Sequence, residues 1–159
     1  MRGPHLHYFA FGSNMNPERV RARGLAFGGI TGAHLEGYRL VFDKAAAEHP
    51  GSGHANIAWA RGHRVEGVLY ALADARQIEK MDPFERTPIN YSRELVLVKT
   101  ATAVVAAWTY IGNAAVRRAD GRPEPAYLAH LLAGRAWLSA DYYERLAAWP
   151  LATPVGADD

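Results

Sequence analysis

The chain has 159 residues, of which 49% are hydrophobic and 21% are charged, a composition typical of one globular domain with one core. It contains no cysteine, which excludes disulfide bonds, thiolate catalysis and zinc sites built on cysteine. The formal net charge is only +2 and no basic stripe is interleaved with aromatic residues, so we expect no nucleic-acid partner.

Hydropathy also argues against a membrane protein. No apolar run approaches the ~18 residues of a membrane span. The first residues, MRGPHLHYFAFGSN, interrupt their apolar run with histidines and small polar residues, unlike a signal peptide. We therefore expect a cytoplasmic protein with no membrane partner, built as one domain over residues 1–149 with a loose tail over residues 150–159.

The first predicted elements are a strand, a short helix and a second strand. Residues 5–11 are rich in aromatic side chains and predict the first strand. Asn16 followed by Pro17 is typical of a helix start, and Gly24 is suited to end that helix near residue 23. Residues 33–44 predict the next strand, which a glycine-rich loop follows.

The middle of the chain predicts a hairpin and then a short helix. Residues 54–61 and 64–73 have strand character, and the Gly62-His63 pair between them predicts a tight turn. Asp74 is a candidate N-cap for a short helix over residues 75–81.

The last part of the chain changes from strands to helices. Residues 82–90 contain two prolines and predict a loop, and residues 91–100 and 103–112 predict two more strands. Residues 125–138 and 139–149 have apolar side chains at helical spacing. About six strands without regularly alternating long helices favour an α+β fold, with a closed or nearly closed, mostly antiparallel sheet.

The sequence Gly12-Ser13-Asn14 stands between the first strand and the first helix. Small residues at such a junction allow backbone N–H groups to face a concavity that binds anions or carbonyl oxygens. A plain strand-to-helix turn with serine and asparagine as cap residues fits the same spacing. The sequence leaves both interpretations open.

Glu85 lies in the predicted loop between Pro83 and Pro88, next to Phe84. A carboxylate beside aromatic residues can have a raised pKa and accept a proton near neutral pH. The alternative is a surface glutamate paired with an arginine.

The remaining polar residues suggest structural roles. His5 and His7 share one face of a strand, but no carboxylate stands at a recognisable ligand spacing, so we expect no metal site. His130, one turn from Tyr127, is interpreted as a packing partner. Tyr91 and Tyr127 are interpreted as tyrosines at the core edge, unless their hydroxyls line a pocket. The run Arg19, Arg21 and Arg23 predicts a solvated helix face.

Four segments in chain order resemble the gamma-glutamylcyclotransferase-like family. They are YFAFGSN at residues 8–14, GHANI at 53–57, MDPFERTPINY at 81–91 and PEPAYLAHLLAGRAWL at 123–138. The similarity extends from Tyr8 to about Leu146. Two positions depart from the family pattern, since Phe11 replaces a loop tyrosine and Arg86 stands where relatives commonly have glycine.

The resemblance implies a small mixed, mostly antiparallel β-barrel with flanking and C-terminal helices. It implies that Glu85 is the catalytic acid and base. The implied substrate-binding residues are Tyr8, Phe9, Ala10, Phe11, Gly12, Ser13, Asn14, Tyr91 and Tyr127. It requires no cofactor and no metal.

The implied reaction converts a gamma-glutamyl amino acid, peptide or amine into 5-oxoproline and a free amine. The expected partner is therefore a small-molecule gamma-glutamyl substrate, and a homodimer is left open. The alternatives are a cyclotransferase for gamma-glutamyl amines or for a gamma-glutamyl group on a carrier, and a non-catalytic small-molecule-binding protein with the same fold.

Overall fold

The computed structural model describes residues 5–46 and 49–153. The strands are β1 (His7–Ala10), β2 (Phe27–Ala45), β3 (Gly53–Leu72), β4 (Tyr91–Lys99) and β5 (Val104–Gly112). The α-helices are α1 (Pro17–Ala22), α2 (Pro125–Leu132) and α3 (Ala140–Ala147). Single 3₁₀ turns occur at Ser13–Met15, Gln77–Lys80, Ala114–Val116 and Arg135–Trp137.

The five strands form a closed barrel in the order β1-β3-β2-β4-β5. The β1–β3, β3–β2, β2–β4 and β4–β5 pairs are antiparallel. The barrel closes through a short parallel pairing of β1 with β5, in which Tyr8 lies opposite Trp108. The predicted α+β fold with a mixed, mostly antiparallel barrel is therefore confirmed.

The hairpin predicted over residues 54–73 is wrong. Residues 53–72 form one strand, β3, which pairs along its length with β2. The pairing shifts from Glu36 opposite Arg64 to Tyr38 opposite Trp59, so residues 60–63 face a single residue of β2. Gly62 lies in this bulge with a positive φ of 81°. Glycine supplies positive φ in bulges as well as in tight turns, so the two look alike in a sequence.

The predicted start and end of α1 are confirmed. The Asn16 side chain accepts a hydrogen bond from the N–H of Glu18 at 3.1 Å, and Pro17 is the first helical residue. Gly24 follows the helix with a φ of 89°. These caps fix the direction in which the chain leaves β1, and therefore the position of the loop between β1 and α1.

The helix predicted over residues 75–81 is only a 3₁₀ turn at Gln77–Lys80. Asp74 does act as a local cap, since its carboxylate accepts the N–H of Arg76 at 2.9 Å. Because turns begin at residue 81, the segment is too short for its hydrogen bonds to offset the free energy of nucleating an α-helix.

Close backbone contacts place the start of β3 inside the fold. A Cβ on Gly53 would overlap the carbonyl oxygen of Phe42 in β2, and a Cβ on Gly67 would overlap that of Ala10 in β1. Asn56 is fully buried, and its amide bonds Asp43 at 2.9 Å and the N–H of Gly112 at 2.8 Å. The GHANI segment is thus held from both sides against the barrel wall.

No helix within residues 5–46 and 49–153 has the length and apolar character needed to cross a membrane. The described chain ends at residue 153, so most of the tail that was predicted to be loose lies outside the described residues.

Candidate active site

A cavity of about 330 Å³ opens where the end of β1 meets β5, α2 and the turns before β4. Two segments form much of its wall: the first loop (residues 11–16) and the turn segment (residues 82–90). All ten residues singled out by the sequence line this cavity: Tyr8, Phe9, Ala10, Phe11, Gly12, Ser13, Asn14, Glu85, Tyr91 and Tyr127. The structure therefore brings together three segments that are distant in sequence.

The first loop combines features of both sequence interpretations. Ser13–Met15 is a 3₁₀ turn, in which the N–H of Met15 donates to the carbonyl of Gly12 at 2.9 Å. The N–H groups of Gly12, Ser13 and Asn14 donate to no acceptor among the described residues. A Cβ on Gly12 would lie 3.0 Å from the Ala55 Cβ. The loop is thus an ordinary turn whose unbonded N–H groups border the cavity.

Asn14 occupies the centre of a hydrogen-bond network and is only 2% exposed. Arg23 donates to its Oδ1 at 2.9 Å, and Tyr70 donates to its carbonyl oxygen at 2.6 Å. Since arginine can only donate, Arg23 fixes the orientation of the amide. The Asn14 Nδ2 then donates to the Tyr8 hydroxyl at 2.9 Å and lies 3.4 Å from Glu85 Oε1. The side-chain amide of Asn14 in the first loop therefore points a hydrogen-bond donor at the Glu85 carboxyl group in the turn segment.

Glu85 is partly buried and makes no ion pair with any described residue, which contradicts the surface-pair alternative. Burial raises the pKa of its carboxyl to about 7, although the nearby charges of Arg23, Arg19 and Lys44 act to lower it. A carboxyl with this pKa is present in both protonation states near neutral pH. It can therefore accept a proton and return it.

Tyr91 and Tyr127 both form a hydrogen bond with the backbone of Ala55, Tyr91 as the donor and Tyr127 as the acceptor. The Tyr91 hydroxyl donates to the Ala55 carbonyl at 2.9 Å, so its hydrogen is already used. The Tyr127 hydroxyl accepts the Ala55 N–H at 2.8 Å, so its own hydrogen is available to a ligand. Burial raises the pKa of Tyr127 to about 12, so that hydrogen is retained at neutral pH.

Four cationic side chains also line the cavity: Arg19, Arg23, Lys44 and Arg86. Glu85 is the only carboxylate among the described residues that line the cavity. The Arg19 Nε atom is buried without a hydrogen-bond partner among the described residues. The cavity therefore suits a ligand that carries negative charge.

The prediction of a solvated arginine face on α1 is wrong for Arg19 and Arg23. Only Arg21 points away from the cavity, with its guanidinium 5.0 Å from the centre of the Phe27 ring. The spacing of Arg19 and Arg23 could have predicted that they point in the same direction, because residues four apart lie on one helix face. That face belongs to the helix directly after the first loop.

The histidines form no metal cluster in the described part of the chain, where no group of three or more His, Asp or Glu side chains could hold a metal ion. His130 instead lies 3.1 Å from Asn16 Nδ2 and 3.3 Å from a terminal nitrogen of Arg19. Burial, together with the nearby arginine charges, lowers the pKa of its ring. His130 thus supports the helix that carries Arg19.

The two departures from the family pattern both line the cavity but differ in burial. Phe11 is 5% exposed and packs near Phe9, with 6.5 Å between ring centres. Arg86 is exposed at the opening and has a left-handed backbone with a φ of 47°.

Comparison with known proteins identifies the family. The family model for "Gamma-glutamyl cyclotransferase, AIG2-like" matches residues 8–137. No curated protein matches the chain. A solved structure named gamma-glutamyl cyclotransferase has a TM-score of 0.80 and 23% sequence identity, covering 95% of this chain and 91% of that chain.

Two further structures have the same fold. An uncharacterized protein from Homo sapiens has a TM-score of 0.81 and 24% identity, covering 95% of this chain and 91% of its own. A yeast gamma-glutamyl cyclotransferase described as specific to glutathione has a TM-score of 0.62 and 14% identity, covering 91% of this chain and 94% of its own. The family model spans most of the chain, and the chain therefore belongs to the gamma-glutamyl cyclotransferase, AIG2-like family.

Proposed function

We propose that this protein converts a gamma-glutamyl amino acid, peptide or amine into 5-oxoproline and a free amine. The observation that carries the proposal is Glu85, a carboxyl with a pKa of about 7 in a cavity whose other described lining residues are cationic or neutral. Membership of the gamma-glutamyl cyclotransferase, AIG2-like family supports the same reaction class.

The reaction is an internal aminolysis. The α-amino nitrogen of the glutamyl group attacks the γ-carbonyl carbon, forming a C–N bond that closes a five-membered lactam. The carbonyl oxygen carries negative charge in the tetrahedral intermediate, and the bond from the same carbon to the departing nitrogen then breaks. Because both reacting groups belong to one molecule, the cavity needs only to hold the substrate in its cyclising conformation.

Glu85 supplies the proton transfers. In its ionised form it accepts the proton that the α-ammonium group must lose before it can attack. In its protonated form it gives that proton to the departing nitrogen as the C–N bond breaks. Ionised again, it takes the second proton that the attacking nitrogen must lose to become the lactam N–H, and this proton passes to the free amine, which leaves as an ammonium group. A pKa near 7 suits these steps, because neither the ionised nor the protonated form is rare near neutral pH.

The first loop and Tyr127 supply the donors for the developing oxyanion and the substrate carboxylate. The N–H groups of Gly12, Ser13 and Asn14 donate to no acceptor among the described residues, and the Tyr127 hydroxyl has an unused hydrogen. Donors that are positioned before the reaction stabilise an oxyanion without reorganising. Arg19 and Arg23 add positive charge on the same side as the first loop.

The experiment is a mass-spectrometric screen for 5-oxoproline. The purified protein is incubated with gamma-glutamyl dipeptides, gamma-glutamyl amines and glutathione, alongside Glu85→Gln and the matched control Glu144→Gln, which changes an exposed residue of α3. Release of 5-oxoproline by the wild type and the control, but not by Glu85→Gln, is expected. A wild type that binds these compounds without releasing 5-oxoproline would favour a non-catalytic binding protein.

A further inference from the structure

The outer end of the cavity carries two cationic side chains that the proton transfers do not use. Lys44 on β2 is partly buried, and Arg86 in the turn segment is exposed, and both line the cavity. At the inner end, Tyr8 and Asn14 are only 3% and 2% exposed. Lys44 and Arg86 therefore stand nearer the opening than the network around Asn14.

Neither cation has a partner among the described residues. Lys44 Nζ and the Arg86 guanidinium make no hydrogen bond or ion pair there. Elsewhere Lys99 pairs with Glu36 at 3.1 Å, and Arg117 pairs with Asp43 at 2.7 Å. Burial, together with the neighbouring charge of Arg86, lowers the pKa of Lys44. Two like charges held close together repel each other, and an anion between them would relieve this repulsion.

The backbone at Arg86 also suggests a use for its side chain. A φ of 47° lies in the left-handed region, where the Cβ of a residue other than glycine strains the backbone. Glycine would adopt this conformation more readily. The turn segment nevertheless carries a long cationic side chain at this position, directly after Glu85.

We propose that Lys44 and Arg86 bind a carboxylate on the leaving group, so that the protein prefers gamma-glutamyl amino acids and peptides to gamma-glutamyl amines. This inference rests on the proposed cyclotransferase function. The glutamyl group would occupy the inner end, between the first loop and Glu85, which leaves the departing amine directed toward the opening. A guanidinium and an ammonium there match a carboxylate in charge and in hydrogen-bond donors.

The test compares two substrates that differ only in charge, gamma-glutamyl-alanine and its neutral carboxamide, gamma-glutamyl-alaninamide. For the wild type, kcat/KM is expected to favour the carboxylate substrate by about tenfold or more, the value of one charge-assisted hydrogen bond. In the double variant Lys44→Met/Arg86→Gly this ratio is expected to fall close to one, mainly because KM rises for the carboxylate substrate.

Glycine at residue 86 relieves the left-handed backbone, so this substitution should not impair folding, and the single variant Lys44→Met provides a second measurement. Arg61→Met, at an exposed residue of β3 that does not line the cavity, is the matched control and should keep the wild-type ratio. A wild-type ratio near one, or a double variant that keeps the preference, would overturn the inference alone. Absence of 5-oxoproline from both substrates would overturn the proposed function and, with it, this inference.

Discussion

Asn14 in the first loop has both polar atoms of its side chain bonded, whereas Arg86 in the turn segment has no side-chain partner among the described residues. Half of the first loop is buried, namely Phe11, Asn14 and Met15, and the loop is connected by hydrogen bonds to β3 and α1. The turn segment is anchored at its two ends, where Asp82 bonds Tyr110 at 2.6 Å and Arg93 at 2.9 Å, and where Asn113 donates to the carbonyls of residues 88–90. The residues between these ends are largely exposed.

This difference suggests that the two segments contact different parts of the substrate in one cavity. A loop whose central asparagine is buried and fixed by hydrogen bonds is suited to hold a part of the substrate that never varies, in the proposed reaction the glutamyl group. An exposed segment with unpaired cations is suited to contact a part that differs between substrates, here the leaving group. Glu85 belongs to the second segment, but its carboxyl faces the first.

The largest expected effect is that of Glu85→Gln. Glutamine keeps the size of the side chain but cannot accept the ammonium proton, so kcat should fall by roughly 10²–10⁴-fold. Affinity for 5-oxoproline, measured by calorimetry, should change only a few-fold, because the first loop supplies most of that binding. A kcat within a few-fold of the Glu144→Gln control would remove Glu85 from the proton transfers.

A branched side chain at Gly12 tests the first loop. A Cβ there would lie 3.0 Å from Ala55 Cβ and 3.5 Å from the Tyr127 hydroxyl, so the methyl groups of valine would occupy the cavity. Gly12→Val should raise KM by at least about tenfold, with a smaller effect on the melting temperature. Gly28→Val, where a Cβ meets nothing within 4 Å, is the control. An unchanged KM with a large loss of thermal stability would indicate a purely structural turn.

The two tyrosines that bind Ala55 provide a matched pair. Removing either hydroxyl leaves one backbone group without its partner, which should destabilise the protein by about 1–2 kcal/mol in both variants. Only Tyr127→Phe also removes a hydrogen that a ligand can accept, so only this variant should lower affinity for 5-oxoproline, by about five- to tenfold. Equal affinities for Tyr91→Phe and Tyr127→Phe would contradict the assignment of the ligand's donor to Tyr127 alone.

The last expected effect is on the pH dependence of stability. The pKa of Glu85 is raised in the folded state, so its ionisation costs stability as pH rises from the ordinary glutamate value near 4.3 to about 7, and this cost is absent below that range. Glu85→Gln should therefore gain about 1–3 kcal/mol of unfolding free energy over the wild type between pH 4 and pH 8, measured by urea unfolding. The Glu144→Gln control should give a difference that does not depend on pH.

Much of the fold was predictable because its signals are local. The strands at β4 and β5, the Asn16-Pro17 helix start and the C-terminal helices follow from residue patterns within a few positions. The bulge at Gly62 could not be predicted, because a glycine in a bulge and a glycine in a hairpin turn have the same local sequence features. What distinguishes the two is the long partner strand β2, which lies in another segment.

The candidate site was predictable as a set of segments, but not in its electrostatics. Helical spacing predicts that Arg19 and Arg23 lie on one helix face, but it does not predict that this face borders the cavity. Lys44 reaches the cavity from β2, far along the sequence from both Glu85 and the first loop. The burial that raises the pKa of Glu85 arises only when these segments pack together.

In the proposed mechanism, burial raises the pKa of Glu85 so that its carboxyl works as acid and base near neutral pH. A ¹³C NMR titration of side-chain carboxyl-labelled glutamate, with the resonance assigned by its loss in Glu85→Gln, measures this pKa directly. A midpoint of about 7 is expected for the wild type. A midpoint near the ordinary glutamate value of about 4.3 would contradict the account.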